Sequence, residues 1–154
     1  MKRIAVAAVM ILFALPAWAD LQDALNAIDR GDYATALKEL QPLADVGDAW
    51  SQDMLGALYH NGLGVPQDYA EAVHWYRLAA EQGLALAQFD LGVMYGNGHG
   101  VLQDYVQAHM WFNLAAAQGL EAAIAHRDTV TSMMTPSQIE EAQRLAREWL
   151  AAHP

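Results

Sequence analysis

The chain has 154 residues, of which 55% are hydrophobic and 17% charged, a composition that excludes disordered and fibrous proteins and fits one domain with its own core. Eighteen acidic and eight basic residues give a net charge of −10 at pH 7. So acidic a surface disfavours binding to nucleic acid or to an anionic membrane. Because there is no cysteine, packing rather than disulfide bonds must stabilise the fold.

The first nineteen residues have the pattern of a secretory signal peptide. Lys2 and Arg3 precede an apolar run over residues 4–15, and a small-x-small sequence ends at Ala19. The run is shorter than the ~20 residues that span a bilayer, so we expect no stable membrane insertion. The sequence predicts cleavage after Ala19 and a periplasmic or secreted location. The mature domain would cover 20–154, with six basic and eighteen acidic residues and a net charge of −12.

The mature domain is predicted to begin with a variant helical hairpin over residues 21–47. Its first helix would cover residues 21–30 and end at Gly31, and its second would start at the N-cap residue Asp32. Asp32 keeps a spacing of 36 residues from Asp68, the residue that starts the corresponding helix of the next unit. The hairpin is therefore predicted to be a shortened member of the same series.

Residues 48–83 and 84–119 form an internal repeat. Aligned with a shift of 36 residues, the two segments are identical at 19 of 36 positions, where chance would give roughly two or three. Each copy contains two apolar stripes at helical spacing, such as Ala72, Trp75 and Ala79 at i, i+3 and i+7. Each copy is thus predicted to be a helical hairpin that buries its apolar stripe by stacking on its neighbours.

A glycine-rich corner separates the two helices of each repeat. Gly62 and Gly98 are predicted to end the first helix in the left-handed conformation. Asp68 and Asp104 are predicted N-caps of the second helix, each in a capping box with the residue three positions later. A phosphate-binding loop would need a preceding strand and a Lys-Ser/Thr pair at the start of the helix. The corner has neither and is predicted to be structural.

A capping hairpin is predicted over residues 120–151. Its first helix would extend to about Ser132, and its second would start with Thr135 as N-cap, Pro136 at the first helical position and Gln138 closing a capping box. One side of this last helix is apolar and the other charged, as expected of a helix that covers the end of a stack. The sequence therefore predicts an all-α fold of eight helices in about four hairpins.

The repeated pattern resembles the Sel1-like repeat, a relative of the tetratricopeptide repeat. Residues 49–83 read A-x-x-Q-x-x-L-G-x-x-Y-x-x-G-x-G-V-x-x-D-x-x-x-A-x-x-W-x-x-x-A-A-x-x-G. The resemblance implies a short right-handed α-solenoid and a secreted bacterial member of the family. Similar bacterial proteins are mostly adaptors, envelope regulators and host-interaction factors. The resemblance therefore also implies that a protein partner binds in a concave groove.

The resemblance further implies that the first helix of each hairpin lines this groove through its non-repeating positions. The predicted groove residues are Trp50, Asp53, Ala57, His60, Asn61, Leu86, Phe89, Val93 and Asn97. An apolar centre with a polar rim suits an apolar peptide or a partner helix. The alternative for Leu86 and Phe89 is that they pack against the flanking hairpins of so short a solenoid.

Candidate catalytic and metal-binding residues are few. None of the three serines lies in a G-x-S-x-G or S-x-x-K motif, and none of the six histidines in an H-E-x-x-H motif, although His60 and His99 could meet near the corners. We therefore predict a non-enzymatic adaptor or regulator of the bacterial cell envelope, a monomer or weak homodimer without cofactor or metal. The alternative is a cell-wall-directed hydrolase or ligand-binding enzyme, which would require polar groups converging in a pocket.

Overall fold

The computed structural model describes residues 14–154, with side chains from Asp20 onward. Within this range the chain forms eight α-helices and no strand. They are α1 (Ala14–Asp29), α2 (Tyr33–Asp45), α3 (Ala49–Asn61), α4 (Tyr69–Glu81), α5 (Ala85–Asn97), α6 (Tyr105–Ala117), α7 (Glu121–Thr131) and α8 (Pro136–Ala152). The predicted all-α repeat fold is therefore confirmed.

The predicted signal peptide lies largely outside the described residues. Of residues 1–19, only the backbone of 14–19 is described, and it forms the start of α1, which continues past Ala19 to Asp29. Cleavage after Ala19 stays a prediction. Among the helices of the described range, none combines the length and the hydropathy that crossing a bilayer requires.

Successive helices from α1 to α7 pack against each other in chain order, and α8 departs from this order because it packs mainly against α6. The two helices predicted as the capping hairpin 120–151 thus each contact α6. Trp149 of α8 lies edge-on to Trp111 of α6, with ring centroids 6.2 Å apart, and its Nε1 donates to Glu81 at 3.0 Å. In this way α8 covers the end of the stack.

Two glycines let an aromatic ring of each second helix lie directly on the first helix of the same repeat. A Cβ on Gly56 would lie 2.6 Å from Cδ1 of Tyr76, and one on Gly92 would lie 2.7 Å from Cε1 of Phe112. Real Cβ atoms essentially never come so close to a ring. Glycine is therefore required at this repeat position by close packing and not by backbone conformation.

The helix ends follow several of the sequence predictions. Gly62 and Gly98 close α3 and α5 in the left-handed conformation, with φ of 66° and 69°. Thr135 and Gln138 form the predicted capping box at the start of α8, where Pro136 occupies the first turn. These ends were predictable because their partners lie within a few residues in the chain.

The capping boxes predicted for α4 and α6 are wrong. The side chain of Asp68 does cap α4, since its Oδ1 accepts from the N–H groups of Ala70 and Glu71 at 2.9 and 3.1 Å. The N–H of Asp68, however, donates to the carbonyl of Tyr59 at 3.0 Å, so it is not free for the Glu71 side chain. Asp104 repeats this arrangement at the start of α6.

A pair of glutamines in each repeat links its two helices, and the first of the pair also bonds to the preceding unit. Nε2 of Gln52 donates to the Ala44 carbonyl at 3.1 Å, and Oε1 of the same side chain accepts from Nε2 of Gln82 at 2.8 Å. The pair recurs as Gln88 and Gln118, with a corresponding distance of 2.9 Å. Gln52 and Gln88 are buried, so these hydrogen bonds also satisfy amide groups that would otherwise be costly to bury.

Candidate functional site

A pocket of about 280 Å³ lies between α3 and α5, above α4. Its walls are formed by Ala57, His60, Asn61, Tyr76, Asp90, Val93 and Met94. The first three residues belong to α3 and the last three to α5, while Tyr76 comes from α4. We call this site the α3–α5 pocket.

Tyr76 forms the floor of the α3–α5 pocket. Its ring rests on Gly56, and the residue is only 4% exposed. Burial, followed by the charges of Asp90 and Asp53, raises the pKa of the phenol. Both carboxylates are therefore near enough to act on the hydroxyl. Among the described residues the hydroxyl has no hydrogen-bond partner.

Two carboxyl groups stand close together at the α3–α5 pocket. Burial first, and then the charge of Asp90, raise the pKa of Asp53 to about 7. Burial also raises the pKa of Asp90 to about 6. Oδ1 of Asp53 is buried without a hydrogen-bond partner, and within the described range neither carboxylate forms an ion pair. Because ionisation is costly without a counter-charge, the pocket favours a cationic group.

The structure brings part of the predicted groove together. Four of the nine predicted residues line the pocket: Ala57, His60, Asn61 and Val93. Asp53 lies one helical turn before Ala57 on α3. Trp50 and Leu86 occupy equivalent positions at the start of α3 and α5, outside the pocket, and are 49% and 40% exposed.

Phe89 and Asn97 do not line the pocket. The ring of Phe89 lies 5.7 Å from that of Phe112 and 4.9 Å from that of His126, measured between centroids. Phe89 is thus partly buried against α6 and α7, as in the alternative in which it packs against a flanking hairpin. Asn97 is exposed at the end of α5. Leu86, in contrast to Phe89, remains at the surface.

Sequence reasoning missed Tyr76, Asp90 and Met94. A signal for two of them lies in the repeat itself: Tyr76 corresponds to Phe112 and Asp90 to Met54. At both positions one copy has an apolar side chain where the other has a polar one. A polar substitution at a position that is apolar in the sister repeat indicates a local function rather than packing.

The two corner histidines do not meet. Tyr69 lies between them, with its ring stacked on that of His99 at 4.5 Å and tilted against that of His60 at 5.4 Å, between centroids. Over residues 14–154, no three histidine, aspartate or glutamate side chains are grouped so as to hold a metal ion.

A second pocket, of about 450 Å³, lies between α6, α7 and α8 and is lined partly by His109, Arg127 and Arg147. The Arg127 guanidinium in this pocket already has polar partners. Arg127 pairs with Asp128 at 3.0 Å and donates to Asn113 at 3.4 Å. Burial and the Arg127 charge lower the pKa of His109, which favours the neutral imidazole. The α3–α5 pocket, with unpaired carboxyl groups, is the better candidate site.

A stack of helical hairpins with a polar pocket between successive first helices defines a helical-repeat protein related to the tetratricopeptide solenoids. More specifically, the family model described as the Sel1 repeat matches residues 51–84 and again 85–120. The chain thus contains two segments that match the Sel1 repeat, as the resemblance predicted. The Sel1 repeat fold is generally a scaffold for protein–protein interaction.

The solved structures that are similar to the chain include the following two. One is a protective antigen of uropathogenic Escherichia coli strains that displays an SLR fold; it has a TM-score of 0.83 and 30% identity, over 88% of this chain and 30% of that one. The other is a Sel1 repeat protein from Oxalobacter formigenes, with a TM-score of 0.69 and 29% identity, over 84% and 54%. The chain thus matches only part of the length of either protein. No curated protein sequence is similar enough to count as a relative.

Proposed function

We propose that this chain is a non-enzymatic adaptor or regulator of the bacterial cell envelope that binds a segment of a partner protein along α3 and α5. The observation that carries this proposal is the α3–α5 pocket next to Trp50 and Leu86, two exposed apolar side chains at equivalent repeat positions. The location in the envelope follows from the predicted signal peptide alone.

The exposed pair can supply much of the binding energy. Complete burial of a large apolar side chain contributes about 1.5–3 kcal/mol, and Trp50 and Leu86 start half-exposed. Tryptophan is also among the residues most often found to dominate an interface. A partner segment that covers both side chains would pass over the pocket between α3 and α5 and would bring its own side chains to the polar groups there.

Site-specific photo-crosslinking in cells tests the proposal. A photoreactive amino acid replaces Trp50 or Leu86, and the same amino acid at Leu102, which is 90% exposed and lies outside the pocket, is the control. We expect one protein to be crosslinked from positions 50 and 86 but not from position 102. Equal crosslinking from all three positions, or none from 50 and 86, would contradict a binding surface on α3 and α5.

Purified components then test the pocket itself. Ala57→Gln places a larger neutral side chain in the α3–α5 pocket, while Ala34→Gln makes the same change at an exposed site on α2. We expect Ala57→Gln to weaken binding of the crosslinked partner about tenfold or more, a change of about 1.4 kcal/mol. Ala34→Gln should leave the affinity unchanged. Circular dichroism of both variants shows whether the helices are retained.

The hydrolase alternative has a distinct test. Carboxyl groups with raised pKa values in a pocket also occur in acid–base catalysis, and Asp53 and Asp90 have this property. Turnover of cell-wall fragments by the purified chain, lost on Asp90→Asn, would refute the scaffold proposal and support the enzyme.

A further inference from the structure

Three oxygen acceptors from three different helices lie in or beside the α3–α5 pocket: Tyr76 and Asp90 line it, and Asp53 stands one helical turn before the lining residue Ala57. Asp53 is on α3, Tyr76 on α4 and Asp90 on α5. Oδ1 of Asp53 is buried without a partner. Tyr76 is only 4% exposed and lines the pocket, and its hydroxyl makes no hydrogen bond to any described residue. An unpaired buried oxygen is costly, so a donor that enters the pocket would complete this arrangement.

We propose that the pocket receives the ammonium group of a lysine from the partner segment, with Asp53 and Asp90 as counter-ions and the Tyr76 hydroxyl as third acceptor. The inference rests on the proposed function and names the side chain that the partner contributes. A lysine ammonium has three donors and no acceptor. It therefore matches three separate acceptors and adds no unsatisfied group of its own.

The walls of the pocket favour lysine over other cations. Ala57, Val93 and Met94 provide apolar contact for the four methylene groups of a lysine side chain. The planar guanidinium of arginine binds best to the two oxygens of one carboxylate side by side, whereas the acceptors here are spread over three helices. A volume of about 280 Å³ is also far larger than a bare metal ion needs.

Charge complementarity also favours a partner segment that contains lysine. The chain has a net charge of −10, or −12 after the predicted cleavage (six basic and eighteen acidic residues in 20–154). This field attracts a basic segment and raises its rate of association. Pairing with an ammonium removes the cost of ionising the two buried carboxyl groups, so binding should lower the pKa of both towards the ordinary aspartate range.

Three blocked tripeptides test the inference on the purified chain without any partner protein. They have leucine at both ends and lysine, norleucine or arginine in the middle, and nuclear magnetic resonance titration measures their affinity and the pKa of the two carboxyl groups. We expect the lysine peptide to bind at least about tenfold more tightly than the norleucine peptide, as for a hydrogen bond to a charged group. The lysine peptide should also lower both pKa values.

Matched variants locate the binding. Asp90→Asn should weaken the lysine peptide about tenfold or more, and Tyr76→Phe about threefold. Asp23→Asn, which removes the same charge from an exposed site on α1, should change its affinity less than twofold. Tyr76→Phe is expected to fold because the sister repeat already has Phe112 at this position.

Several results would overturn the inference. They are equal affinity for lysine and norleucine, equal affinity for lysine and arginine, and lysine binding that survives Asp90→Asn. Equal affinity for lysine and norleucine together with crosslinks from positions 50 and 86 would overturn the lysine inference alone. A lysine preference in a chain that gives no crosslinks would instead overturn the proposed scaffold function.

Discussion

Replacing Asp53 with asparagine should stabilise the fold at neutral and higher pH. Burial first, and then the charge of Asp90, raise the pKa of Asp53 from 3.8 to about 7. At about 1.4 kcal/mol for each pKa unit, that difference corresponds to about 4 kcal/mol of lost stability once the carboxyl is ionised. Asparagine carries no charge and avoids this penalty. We therefore expect Asp53→Asn to raise the free energy of unfolding by about 2–4 kcal/mol at pH 8.

The sign of the pH dependence follows from the proton balance. In the unfolded chain Asp53 loses its proton near the ordinary value of 3.8, while in the fold it keeps the proton up to about pH 7. Between these values the folded state binds more protons, so wild-type stability falls as the pH rises from about 4 to 7. Asp90, with its pKa raised to about 6, adds to the fall over the lower part of this range. The gain from Asp53→Asn should therefore vanish near pH 4.

Two titratable groups from neighbouring helices are coupled to Asp53: Asp90 from α5, whose charge raises its pKa, and Tyr76 from α4, whose pKa Asp53 raises. His60, about two turns further along α3, lines the same pocket as Asp90 and Tyr76. The raised pKa keeps the Tyr76 phenol neutral throughout this range. No charge from α2, which packs on α3, shifts the pKa of Asp53. Parallel measurements on His60→Gln show whether the imidazole changes the profile.

Urea unfolding of the purified chain, followed by circular dichroism at pH 4, 6 and 8, measures the effect. Asp23→Asn removes the same charge from an exposed position and is the control. A gain from Asp53→Asn that is as large at pH 4 as at pH 8, or no larger than the gain from Asp23→Asn, would refute the reasoning from burial.

Four further predictions are tested by the same unfolding assay. Gly92→Ala should lower the free energy of unfolding by about 1–3 kcal/mol because its Cβ would lie 2.7 Å from Phe112. Gly96→Ala in the same helix, where the nearest atom is 3.7 Å away, should instead raise it by up to about 1 kcal/mol. Equal effects of the two substitutions would contradict the packing argument. Gln88→Leu should cost about 2–3 kcal/mol because it leaves buried partners without hydrogen bonds, and a neutral result would mean that water replaces them. Trp75→Ala should cost about 3–5 kcal/mol; a loss below ~1 kcal/mol would contradict its burial.

Features whose causes are local were predictable from the sequence. The helical spacing of apolar residues, the left-handed Gly62 and Gly98, and the capping box at Thr135 each depend on residues close in the chain. Eight helices followed from these signals. The same reasoning failed for the box at Asp68, because a distant carbonyl, that of Tyr59, takes the N–H which the local pattern assigned to a side chain.

The site was less predictable because it depends on pairing between units. Ala57, His60 and Val93 were found from the repeat because each stands at a position where the two copies differ, and Asn61 was found because it follows them at the end of α3. The proximity of Asp53 and Asp90, 37 positions apart, depends on how one hairpin rotates against the next. No periodicity within a single helix reports that rotation. The packing of α8 against α6 could not be predicted from the sequence for the same reason.

The glutamine junctions have a consequence for the size of ligand that such a stack accommodates. A hydrogen bond has a narrow range of lengths and directions, so the bonds from Gln52 to the Ala44 carbonyl and from Gln88 to the Ala80 carbonyl set the same step from each unit to the next. Any hairpin inserted with this junction would add one more first helix at the same interval from its neighbour. The length of polypeptide that the stack can accommodate would then increase in whole steps, one hairpin at a time.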